Sequence, residues 1–127
     1  MKINPEAKMI RNKYNKLISQ PFSSFLSINK INLPDKKGVY LIRNKNKKVL
    51  HVGQTPRARR GIKQRIINHL HGQSSFVASY FNGDGSQLRK QNCLFQFLII
   101  DSHSKTDSRT RALLESYATR ITETTLP

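Results

Sequence analysis

Acid is what this chain has least of. Seven Asp and Glu stand against 23 Lys and Arg in 127 residues, a formal net charge of +16. No carboxylate occurs between Asp35 and Asp84. That scarcity argues against a two-metal site, which needs several Asp and Glu, and leaves a single ion on one carboxylate with waters as the feasible metal chemistry. Cysteine is as scarce. Cys93 stands alone, which excludes an internal disulfide framework, suits a reducing compartment, and reads as a small buried hydrophobe in a strand. No apolar run approaches the roughly 20 residues of a membrane span, and no secretory signal pattern opens the chain. The expected location is cytoplasmic.

What is abundant is base. The acid-free interval holds Lys48, Arg57, Arg59, Arg60, Lys63 and Arg65 among others. A polyphosphate partner accounts for this, because each phosphate neutralised releases counterions and adds sequence-independent affinity. A membrane surface fits less well, since no basic helix carries the large aromatic face it would want.

At this length one domain with a real hydrophobic core is expected. Its organising stretch is residues 38–70. Two β-prone runs, Val39-Tyr40-Leu41-Ile42 and Val49-Leu50-His51-Val52, flank the polar link Asn44-Lys45-Asn46-Lys47 and read as a hairpin. Gly53 breaks the second run. Thr55 then reads as a helix cap with Pro56 in the first turn, and Gly61 delays regular helix to about that point. Ile62, Ile66, Ile67 and Leu70 follow the helical period. Arg65 and His69, four apart, share a face at the margin of that stripe.

Elsewhere the pattern is coarser. Residues 1–33 read as a helical extension outside the core, with Ile10, Tyr14, Leu17 and Ile18 at helical spacing and Pro21 ending it. Phe22, Phe25 and Leu26 suggest a second short helix. Ser74 or Ser75 is expected to cap a helix through Phe76, Val77, Tyr80 and Phe81, and residues 82–85 form a turn. Residues 94–100, LFQFLII, read as a central strand buried on both faces. From Ser108 a last helix carries Leu114, Tyr117, Ala118 and Ile121 on one face, with Glu115 at its edge. The expected class is α/β: a small three-stranded sheet flanked by helices over residues 34–127.

Several segments, in order and spacing, resemble the GIY-YIG nuclease family. They are Gly38-Val39-Tyr40, His51-Val52-Gly53-Gln54-Thr55, Arg65 through His69, and Glu115. The resemblance implies metal-dependent hydrolysis of DNA phosphodiesters. It assigns Tyr40 as general base or water-orienting group, Arg65 to the scissile phosphate, and His69 to hydrogen-bonding support of both. Glu115 becomes the ligand of one Mg²⁺ or Mn²⁺. Lys48, Gln54, Arg57, Arg59, Arg60 and Lys63 are then the expected nucleic-acid contacts, and the protein would associate with the nucleoid when bound to DNA. Two departures stand out. His51 occupies the position of the second tyrosine, where imidazole can still donate a hydrogen bond or shuttle a proton. Many members also carry an asparagine after a proline beyond the glutamate helix. Here the chain stops at Leu126-Pro127, as expected of a fragment.

Three functions compete on these residues: a DNA endonuclease, a nucleic-acid-binding module of the same fold without turnover, and a basic protein of a ribonucleoprotein. So small a domain has little room to read sequence. Low specificity, a recognition domain or partner protein outside this chain, or a homodimer that cuts both strands are the expectations.

Overall fold

The computed structural model describes residues 4–55, 60–102 and 104–123. Helix α1 (Pro5–Ile18) begins at Asn4, whose side chain accepts from the amides of Glu6 and Ala7, with Pro5 in the first turn where no amide donor is needed. Strand β1 (Ser23–Ser24) follows, then a short 3₁₀ turn (Ile28–Lys30), the hairpin β2 (Gly38–Arg43) and β3 (Val49–Gln54), and helix α2 (Gly61–Leu70). Helices α3 (Ser75–Tyr80) and α4 (Gln87–Lys90), strand β4 (Leu94–Ile99) and helix α5 (Lys105–Glu123) complete the order. No helix among the described residues is long and apolar enough to cross a membrane.

The architecture is α/β, with four antiparallel strands in the order β1-β4-β2-β3. The expected three strands are β2, β3 and β4. The fourth, β1, lies where a second short helix was expected: Ser23 and Ser24 pair with Phe95 and Leu94 on the outer edge of β4. Phe22, Phe25 and Leu26 could fit either conformation, and a partner strand distant in sequence decided between them. The strand buried on both faces is β2 rather than residues 94–100. Val39, Tyr40, Leu41 and Ile42 are all fully buried, whereas Phe97, Leu98 and Ile99 of β4 are half-buried.

Alternation along β2 builds two cores. Val39 and Leu41 join Ile10, Leu17, Val49, Ile100, Leu114 and Ala118 on the α1/α5 side. Tyr40 and Ile42 join Ile62, Ile66, Val77, Phe81, Leu88 and Phe95 on the side of α2, α3 and α4. Each fully buried aliphatic side chain contributes about 2 kcal/mol relative to exposure. Helix α1 packs over the Val39 and Leu41 face of the sheet and is part of its core. The apolar face of α1 supplies Ile10 and Leu17, and Gln96 of β4 donates to the carbonyls of Ile18 (2.9 Å) and Gln20 (2.7 Å). Cys93 is buried as expected, immediately before β4.

Local chemistry fixes the hairpin. The Asn44 side chain accepts from the amides of Asn46 and Lys48 at 2.9 and 3.0 Å, and Lys47 takes a positive φ of 69°. The register then slips: Ile42 faces His51 but Arg43 faces Val49, leaving Leu50 as an extra residue. Such a bulge re-aims side chains. Both Leu50 and His51 consequently turn to the α2/α3 side, Leu50 against that core and His51 against Tyr40 and Phe76.

Thr55 does not cap α2. Its hydroxyl accepts from the Gly38 amide at 2.9 Å, and its amide donates to the Gly38 carbonyl at 3.2 Å, stapling the far ends of the hairpin. Helix α2 starts at Gly61 because φ there is +57° and a Cβ would collide with the Lys36 backbone. Ser74 caps α3 as expected, accepting from the Val77 amide. Helix α4 carried no visible signal.

Candidate functional site

Strand β3 ends the sheet, so its outer edge is reachable from both faces. Helix α2 brings Arg65 and His69 along one face, and α5 brings Glu115 along the other. Between them lies a cleft of about 280 Å³ lined by His51, Val52, Gly53, Gln54, Arg65 and Glu115.

Behind this cleft runs a chain of buried polar groups. Tyr40 stands opposite Gly53 in the register, and its phenol lies across that glycine, where any Cβ would strike the ring. The Tyr40 Oη is 2.7 Å from His69 Nε2, and His69 Nδ1 is 2.7 Å from Ser74 Oγ. Ser74 Oγ also accepts from the Val77 amide at 3.2 Å. His69 is not at the margin of the α2 stripe. It follows Ile62 and Ile66 into the core and is fully buried. Arg65 is half-buried at the rim. The His51 ring centroid lies 5.9 Å from that of Tyr40 and 5.3 Å from that of His69.

Burial sets the protonation states. It pushes the Tyr40 phenol above its ordinary value, while the nearby Arg65 guanidinium pulls the other way. His51 is pushed down to about 4 by burial and then by Arg65. His69 is pushed down to about 3 by burial, His51 and Arg65. Near neutral pH both imidazoles are therefore uncharged and the phenol keeps its proton. A neutral imidazole has one donor and one acceptor nitrogen. Tyr40, His69 and Ser74 thus form a line along which a proton can be passed.

Two buried atoms of the cleft have no hydrogen-bond partner among the described residues, His51 Nε2 and Arg65 Nε. Buried polar atoms are rarely left so, and both belong to residues that line the cleft. On the opposite wall, Gln54 Nε2 donates to Glu115 Oε1 at 3.3 Å. The described residues contain no group of three or more His, Cys, Asp or Glu able to cage a metal. A hard divalent cation that keeps most of its waters needs only one carboxylate and the oxygens of its substrate. Glu115 fits that mode and no denser one.

The structure thus brings Tyr40, His51, Arg65, His69 and Glu115 together. The expected nucleic-acid contacts fare differently. Gln54 lines the cleft but is engaged with Glu115. Lys48 sits at the hairpin and Lys63 on α2, and neither lines the cleft. Arg60 precedes α2 with its Nε 3.8 Å from Asp35. Arg57 and Arg59 lie outside the described residues, as do Pro56 and His103. Two members were not anticipated. Ser74 was legible as a cap, but its bond to His69 crosses a turn and has no sequence signature. Phe76 stacks on His51 with centroids 4.7 Å apart and planes 15° apart. No protein-family model matches the chain, and no curated protein matches it.

Proposed function

We propose that this chain is a GIY-YIG-type endonuclease that hydrolyses DNA phosphodiester bonds with the help of one divalent ion. One observation carries the reading. Of the five side chains of the sequence resemblance, His51, Arg65 and Glu115 line one cleft at the open edge of β3, and Tyr40 and His69 lie hydrogen-bonded and buried directly behind it. On this reading β2, β3 and β4 are the sheet of the nuclease fold and β1 is an addition outside it.

The chemistry follows from the groups present. Arg65 binds the non-bridging oxygens of the scissile phosphate through its guanidinium, which stabilises charge that develops there. On substrate binding a water in line with the phosphorus reaches Tyr40 Oη, which is fully buried in the free protein. As the phenol oxygen takes the water's proton, its own proton passes to His69 Nε2. His51 Nε2 orients the water or a phosphate oxygen from the other side. Mg²⁺ or Mn²⁺ at Glu115 would supply charge neutralisation at the leaving oxygen.

A second reading, a DNA-binding module without turnover, rests on His51 at the second tyrosine position. One assay separates the two. Wild-type protein is expected to nick or linearise plasmid with Mg²⁺ or Mn²⁺, and Glu115→Ala and Arg65→Ala each to lose about 100-fold or more. If all three bind plasmid alike and none cuts, the nuclease reading is wrong and the binding module replaces it.

A further inference from the structure

Beside the cleft is an aromatic feature that phosphodiester chemistry does not require. The His51 ring stacks on Phe76 at 4.7 Å and 15° between planes, and Phe76 stacks on Tyr80 at 5.5 Å and 25°. The three rings form a near-parallel column that starts in the wall of the cleft and runs outward along α3. Its last member, Tyr80, is 53% exposed, the largest value among the exposed large hydrophobic residues. Beneath it is a shallow recess of about 360 Å³ lined by Leu50, Ser75, Phe76, Ser79 and Tyr80. Phe81 braces Tyr80 edge-on at 4.7 Å, so the phenol is held as a platform.

We infer that this column is a stacking subsite for an unpaired nucleobase flanking the phosphate held at Arg65. The true substrate is then DNA with a single-stranded stretch at the cut. The inference rests on the nuclease reading for the position of the phosphate. A nucleobase suits the platform better than an apolar side chain of a protein partner for two reasons. The rings are parallel, so they offer a flat π-face to a flat ligand. The whole chain carries 23 Lys and Arg against seven acids, a net charge that attracts a phosphate strand, and the column adjoins the cleft that holds Arg65. Spacing agrees as well. Two ring steps of 4.7 and 5.5 Å separate His51 from Tyr80, the reach of two or three nucleotides in a strand stacked at about 3.4 Å each. Bases paired inside a duplex present edges rather than faces, so the column discriminates against intact duplex.

The test measures binding in EDTA, where no cleavage occurs. A 2-aminopurine-labelled single strand and its duplex are titrated with wild-type protein, Tyr80→Ala and Tyr80→Phe. Tyr80→Ala is expected to weaken single-strand binding about ten-fold, abolish the stacking quench of 2-aminopurine, and leave duplex binding within two-fold. Tyr80→Phe should match the wild type. An oligonucleotide abasic at the stacked position should weaken wild-type binding by a similar factor, a control independent of any variant's folding. Equal binding of the single strand by wild type and Tyr80→Ala, an equal loss on duplex, or no binding of either by the wild type would overturn the subsite. Failure of the nuclease reading looks different: the Tyr80 effect persists in EDTA, yet the wild type cuts no DNA with Mg²⁺ or Mn²⁺.

Discussion

The two faces of β2 carry adjacent residues to opposite ends of the trade between stability and chemistry. Val39 and Leu41 meet the aliphatic side chains of α1 and α5, and the buried polar groups there are tied mainly to backbone. Gln96 donates to two carbonyls, and Arg111 to those of Ile100 and Ser102. Tyr40 and Ile42 meet a core into which His51, His69 and Ser74 are threaded. One face buries apolar area with one orphaned side-chain nitrogen among the described residues, Arg111 Nε. The other holds two imidazoles uncharged and leaves His51 Nε2 and Arg65 Nε without partners among the described residues. The candidate site lies at the sheet's edge, where polar groups anchored in the core also reach an open cleft.

The sharpest way to break this comparison is to mutate neighbours. Tyr40→Phe should lower cleavage about 100-fold or more, with a stability loss of about 1–2 kcal/mol from the unpaired His69 Nε2. Leu41→Ala should cost about 3 kcal/mol in urea unfolding, yet keep cleavage within a few-fold wherever the variant is folded. If the two variants lose activity alike, the faces are not divided in this way.

Acid should act first on the site's face, because the histidines' ordinary range lies above that of the carboxylates. Above pH 6.5 both folded and unfolded chains hold these histidines neutral. As pH falls below 6.5 the unfolded chain takes up protons that the folded chain refuses until about pH 4 at His51 and about pH 3 at His69. Stability should therefore drop on acidification, by about 2 kcal/mol per histidine at pH 5. His69→Gln should flatten that slope in unfolding curves between pH 7 and 4. A slope unchanged by the substitution would mean that the folded chain admits a proton at His69 after all.

Gly53→Ala sharpens the comparison from a different side. The added methyl strikes the Tyr40 ring, so about 1–2 kcal/mol should be lost through overpacking together with much of the activity, read by thermal melting and plasmid nicking in parallel. The smallest effect is expected from Ser74→Ala. It removes the α3 cap and one hydrogen bond to His69 for about 1 kcal/mol, and should lower the cleavage rate several-fold by loosening the imidazole.

Much of the frame was legible. The Asn44 turn, the β2–β3 hairpin, helix α2 from Gly61 and the Ser74 cap rest on interactions within a few residues of one another, which local chemistry dictates. The misreadings share a cause. Ser23 and Ser24 became a strand through pairing with β4, some seventy residues on. Thr55 staples the hairpin because Gly38 lies across from it, although its sequence neighbours suggested a cap. Residues 94–100 looked central from their apolar run, but β2, whose own run is shorter, took the middle of the sheet.

The same division holds at the site. Sequence alone determined which residue types are available: a tyrosine in one strand, a histidine in the next, Arg65 and His69 one helical turn apart, and a late helical glutamate within an acid-poor chain. Their nature and local periodicity follow from covalent order, so they could be read without coordinates. Only the tertiary structure decided that His69 is buried against Tyr40 and Ser74, that Gln54 holds Glu115, and that a bulge at Leu50 turns His51 onto Phe76. Those outcomes depend on which faces meet when the sheet is closed between its helices, and no single segment of the chain contains that information.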